Sequence, residues 1–112
     1  MKLDLLNKKC GPCEKQVKPF DKDTAFKYLG EVSSWQISND YLKIYREFVF
    51  KDFAYAMAFV NKVSRIAEEE GHHPDIHISY NRVLLELWTH NIKGLSENDF
   101  IVAAKVNEIK SK

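Results

Sequence analysis

The chain has 112 residues, 45% apolar and 12% aromatic, and 17 basic residues nearly cancel 16 acidic ones to leave a net charge of +1. This is one domain's length with enough apolar material for a core, which excludes a disordered chain. The charge balance carries no nucleic-acid footprint, and no apolar run approaches the roughly 20 residues that cross a bilayer, so neither nucleic acid nor membrane is an expected partner.

The first nine residues hold too short an apolar stretch for a signal peptide, with Asp4 interrupting it, so a cytoplasmic location is expected. Residues 1–19 read as an irregular, lysine-rich lead-in broken by Gly11, Pro12 and Pro19, ahead of a domain over 20–112. Its two cysteines, Cys10 and Cys13, cannot build a disulfide framework. One Cys-x-x-Cys pair also falls short of the four ligands of a structural zinc site, so reduced thiols are the preferred reading, with metal binding across subunits the alternative. With no core periodicity there, removing residues 1–18 is expected to leave folding and activity intact.

Asp21 or Asp23 caps a helix through Ala25, Phe26, Leu29 and Val32, with Gly30 near its end. Trp35 and Ile37 alternate as a first strand, Ser38-Asn39-Asp40 turns, and Leu42, Ile44, Phe48 and Phe50 keep period two in a second, Arg46 being the exception. Phe53, Met57, Val60, Val63 and Ala67 form one helical stripe between an Asp52 cap and a Gly71 stop. Ala56, Phe59 and Ile66 widen that stripe beyond what one sheet contact uses. Ile76, Ile78 and Tyr80 alternate as a third strand, Asn81-Arg82 turns, and Val83, Leu85 and Leu87 form a fourth. Ser96 with Asp99 resembles a capping box opening a last helix through Ile101, Ala104, Val106 and Ile109. The order α-β-β-α-β-β-α predicts a single α+β domain, a four-stranded antiparallel sheet with helices packed on one face.

All four histidines fall between residues 72 and 90. His72-His73 follow the helix stop and precede Pro74, which biases His73 away from helical geometry. His90 follows the fourth strand by parity on the face of Glu86 and Trp88, so the third-fourth hairpin brings it beside His72-His73. Imidazoles titrate near neutrality and can give and take protons within one turnover. Glu68, Asp75 and Asp99 are carboxylates able to orient those rings, and Trp88 offers a flat surface to a planar ligand. Each has a plainer reading. Glu68 belongs to an acidic helix end, Asp99 has its capping role, Asp75 sits in a loop, Trp88 covers the sheet or an oligomer contact, and His77 faces away from the core.

Glu68-x-x-x-His72-His73-Pro74, Tyr80-Asn81, Thr89-His90 and Asp99 resemble the signature of the pterin-4a-carbinolamine dehydratases. Phe50-Lys51-Asp52-Phe53 and Gly94-Leu95-Ser96-Glu97 add to the likeness, which spans about residues 20–110. The resemblance implies dehydration of 4a-hydroxytetrahydrobiopterin to quinonoid dihydropterin without metal or organic cofactor, recycling the pterin of aromatic amino acid hydroxylases. It puts catalysis on His72, His73 and His90, with supporting carboxylates at Glu68 and Asp99. Pro74, Asp75 and Trp88, on the reading of the residues themselves, are expected to bind or support beside them. It also implies a homo-oligomer, dimer or tetramer. Family members in animals double as dimerisation cofactors of a homeodomain transcription factor. Divergent relatives act in assembly, so a non-catalytic assembly or binding protein on the same fold is the alternative. A metal site built from the three histidines and a carboxylate is a further one.

Overall fold

Asp21 accepts a hydrogen bond from the Thr24 amide at 2.8 Å and so opens the first helix, α1 (Lys22–Leu29). The computed structural model describes residues 3–11 and 18–109. After α1 come β1 (Gln36–Ile37), β2 (Ile44–Val49), α2 (Phe53–Glu70), β3 (Asp75–Ser79), β4 (Arg82–Leu87) and α3 (Glu97–Asn107). Short 3-10 turns add Leu5–Asn7 and His90–Ile92. The four strands pair antiparallel in the order β1-β2-β4-β3, the α+β arrangement that the element order predicts.

Period-two alternation places Ile44, Val83, Leu85 and Leu87 on the helical side, where all four are fully buried. Phe59 and Val63 of α2 and Phe100 and Ile101 of α3 complete that core. Arg46 lies on the same face between Ile44 and Phe48. Its guanidinium covers the Phe48 ring at 4.3 Å and donates to Asn107 Oδ1 at 2.7 Å, an oxygen it shares with the Trp35 indole N–H. The break in alternation is thus a satisfied polar contact at the end of α3.

Three details depart from expectation. The β3–β4 turn falls on Tyr80 and Asn81, and Arg82 already pairs with Val49 and Ser79. Asn81 is tied to the end of β2, accepting from the Phe50 amide at 2.8 Å and donating from Nδ2 to the Phe50 carbonyl at 2.9 Å. The buried stripe of α2 runs through Ala56, Phe59, Val60, Val63 and Ala67, while Phe53 is half exposed. Phe59 takes the inward place, its ring 4.5 Å from Phe48 and 5.0 Å from Phe50.

The third departure is the lead-in. Its Leu5–Asn7 turn packs on α3, and Leu5 joins the buried core. The reason lies in α3 itself, where Asn98 through Ala104 and Val106 are buried on every side. A helix apolar all round needs cover beyond one sheet. Cys10 lies within the described lead-in; Cys13 is outside the described residues.

Candidate active site

Gly71 ends α2 in the left-handed region at φ 65°, where an L side chain is strained. The amides of Gly71 and His72 both return to the Ala67 carbonyl, so the chain leaves the helix in one fixed direction. His72, His73 and the buried Pro74 follow, and β3 begins at Asp75. At the other end of β4, Thr89 bridges to Gly94 around the His90–Ile92 turn. His90 therefore sits on a 3-10 turn and not on a strand extension. A cleft of about 480 Å³ is lined by all three histidines together with Pro74, Asp75 and Trp88. The hairpin does bring His90 beside His72-His73.

Behind the cleft stands Asp99, whose side chain is fully buried. Its Oδ2 accepts from the Ser96 amide at 3.0 Å and the Thr89 hydroxyl at 2.8 Å, and Ser96 Oγ lies 2.7 Å from that hydroxyl. Its Oδ1 meets His72 Nε2 at 2.6 Å. The capping role is real, and it uses one oxygen. The other holds His72. Since a carboxylate oxygen only accepts, Nε2 carries the proton and Nδ1 is the basic nitrogen of the neutral ring.

His73 Nε2 pairs with Glu68 Oε2 in an exposed contact, which solvent makes weak. Glu68 stands beside the cleft without lining it. His90 is held by stacking: its ring lies over Trp88 with centroids 3.9 Å apart and planes 25° apart. Trp88 in turn donates its indole N–H to Asp75 Oδ2 at 3.0 Å. One face of Trp88, expected to receive a planar ligand, is thus taken by His90. His77 pairs with Glu86 at 3.0 Å and does not line the cleft.

Three lining residues escaped the sequence reading, Gly11 of the lead-in, Asn91 of the 3-10 turn and Asn98 of α3. None belongs to a periodic pattern. Cys10 next to Gly11 is a neutral thiol: burial foremost, and then the Glu70 carboxylate beside it, push its pKa up to about 12. Among the described residues no three of His, Cys, Asp and Glu are grouped so as to hold a metal ion. No helix among them is long and apolar enough to cross a membrane.

Residues 18–109 match the family model described as pterin 4 alpha carbinolamine dehydratase. A relative from Halorhodospira halophila that bears this family's name is 44% identical over 107 residues, 96% of this chain and 98% of its own. The mitochondrial pterin-4-alpha-carbinolamine dehydratase 2 of Arabidopsis thaliana is 45% identical over 111 residues, 96% of this chain and 59% of that longer protein. Among solved structures, a transcriptional coactivator/pterin dehydratase from Brucella melitensis superposes with TM-score 0.76 at 33% identity, over 80% of this chain and 96% of the other. A pterin dehydratase-like RuBisCO assembly factor of the alpha-carboxysome gives TM-score 0.57 at 25% identity, over 66% of this chain and 86% of the other.

Proposed function

The chain belongs to the pterin-4a-carbinolamine dehydratase family, and on that premise we propose that it dehydrates 4a-hydroxytetrahydrobiopterin to the quinonoid dihydropterin by histidine acid–base catalysis. The observation that carries this reading is the His72–Asp99 pair, a buried carboxylate behind an imidazole that lines the cleft shared with His90. The elimination breaks the C4a–O bond, forms the N5–C4a double bond and releases water. N5 gives up one proton and the departing hydroxyl takes one, so the proton balance closes. His72 accepts the N5 proton on Nδ1, and Asp99 stabilises the imidazolium that results. His90, stacked on Trp88, gives a proton to the hydroxyl. His73, backed by Glu68, binds and positions the ring. The physiological role is recycling of the pterin cofactor of aromatic amino acid hydroxylases.

This reading includes a homo-oligomer. Val49 at the end of β2, Phe53 and Tyr55 at the start of α2, Ile78 on edge strand β3 and Tyr80 in the β3–β4 turn are exposed apolar or aromatic side chains of the kind that a second copy covers. The test of function is the rate at which 4a-hydroxytetrahydropterin, generated by a coupled hydroxylase, loses water. Acceleration over the spontaneous reaction is expected. A rate equal to the spontaneous one puts the assembly-protein reading first, as the RuBisCO assembly factor among the neighbours would suggest.

A further inference from the structure

The two halves of the His72–Asp99 pair come from the ends of different helices. His72 lies just past the C-terminus of α2, and Asp99 lies in the first turn of α3. The lead-in crosses between those ends. On the α2 side, the Cys10 amide donates to Glu70 Oε1 at 2.9 Å, and Glu70 Oε2 takes Lys105 Nζ of α3 at 2.5 Å. On the α3 side, Gly11 and Asn98 pair reciprocally. The Gly11 amide donates to Asn98 Oδ1 at 3.1 Å, and Asn98 Nδ2 donates to the Gly11 carbonyl at 2.6 Å. The Cys10 thiol donates to the Asn98 carbonyl at 3.5 Å, and Lys8 Nζ meets Glu97 Oε2 at 2.7 Å. The anchor points are Glu70, two positions before His72, and Asn98, one before Asp99.

We propose that residues 8–11 form a clamp that sets the separation of the α2 and α3 ends, and thereby the His72–Asp99 geometry, while Gly11 walls the substrate cleft. Asn98 and Glu70 are then positioning residues, acting through the lead-in and not on substrate. Glu70 is built for this role. Its side chain is only 4% exposed; burial opposes its charge, yet Lys105 and the Cys10 amide outweigh that and hold its carboxyl below the usual range. Cover of the core by Leu5 is a separate contribution, because Leu5 sits upstream of every bond in the clamp. The proposal rests on the dehydratase reading for its kinetic consequence, and on geometry alone for the rest.

Asn98→Ala in the full chain removes both side-chain bonds to Gly11. A misplacement of about 1 Å can cost up to a hundredfold in rate, so kcat is expected to fall roughly tenfold or more, with KM raised by loss of the Gly11 wall. Release of the lead-in should also raise the rate of Cys10 alkylation at pH 8, followed by site-resolved mass spectrometry, by about tenfold or more as its thiol returns toward ordinary acidity. In a chain lacking residues 1–11, Asn98→Ala should cost no further activity, as expected when two changes remove one interaction. If that truncated chain does not fold, the single variant decides alone. Faster Cys10 alkylation with wild-type kcat and KM would overturn the clamp, as would unchanged alkylation. A loss from Asn98→Ala undiminished in a folded truncated chain would place Asn98 in direct action on the site. Should the wild-type protein lack dehydratase activity, the His72 Nε2–H resonance still decides. It is expected to be sharp and slowly exchanging in the wild type and broadened in Asn98→Ala; an identical resonance in both contradicts the proposal.

Discussion

Asp99 divides its two oxygens between structure and chemistry, and Asp99→Asn tests that division. The Ser96 amide can only donate, so the asparagine carbonyl must take the Oδ2 place. Its NH₂ then faces His72 Nε2, which has to give up its proton, and the basic nitrogen moves from Nδ1 to Nε2. Turnover should fall by about 10²–10⁴-fold, the span typical of a lost general acid or base, with the tautomer change visible in ¹⁵N spectra of the ring. Wild-type turnover in Asp99→Asn would remove His72 Nδ1 from the mechanism. The capping half of this residue was legible in Ser96-x-x-Asp99, and a part in orienting the imidazoles was expected of it. Which ring it holds was not legible, since that depends on where the C-terminus of α2 meets the first turn of α3. Gly94 offers a second residue-scale test: a Cβ there would stand 2.5 Å from Pro19 Cβ. Overpacking against a rigid ring costs about 1–3 kcal/mol, so Gly94→Ala should lower the urea midpoint accordingly. An unchanged midpoint would mean that the Pro19 segment moves aside freely.

At the scale of elements, strand alternation and the α2 stripe were readable because one face of each meets the core. Errors collected where a tertiary contact overrides local chemistry. The Asn81 link to Phe50 moved a turn, and the Phe59 packing on Phe48 and Phe50 displaced Phe53 from the stripe. The packing of the lead-in on the core was not legible because its apolar anchors, buried Leu5 with Leu3 and Cys10 packed beside it, make no periodic pattern. The signal was in α3, where the run Phe100-Ile101-Val102-Ala103-Ala104 has no polar side and so requires cover all round. Leu5→Ala should therefore cost about 2 kcal/mol in denaturant unfolding, at the low end for buried leucines. No measurable loss would show the 3-10 turn to be loosely seated. Gly71→Ala should cost about 1–2 kcal/mol through its left-handed backbone, and it should lower activity further by turning His72 off its line to Asp99. A stability loss with unchanged turnover would separate that cap from the site.

The molecule as a whole presents its site at one rim of the sheet and exposed apolar side chains at the end of β2, the start of α2, edge strand β3 and the β3–β4 turn. Sedimentation at micromolar concentration should give a mass above the 13.1 kDa of one chain; Tyr80→Lys with Val49→Lys should shift it toward the monomer, and a wild-type monomer would contradict the oligomer. The central claim is that the cleft works by proton transfer through His72 and His90. Turnover of 4a-hydroxytetrahydropterin by His72→Ala, His90→Ala and His77→Ala, each with unchanged circular dichroism, tests it most directly. The first two should lose about 10²–10⁴-fold, and His77→Ala, outside the cleft, should keep wild-type turnover. Wild-type turnover in both His72→Ala and His90→Ala would contradict the account.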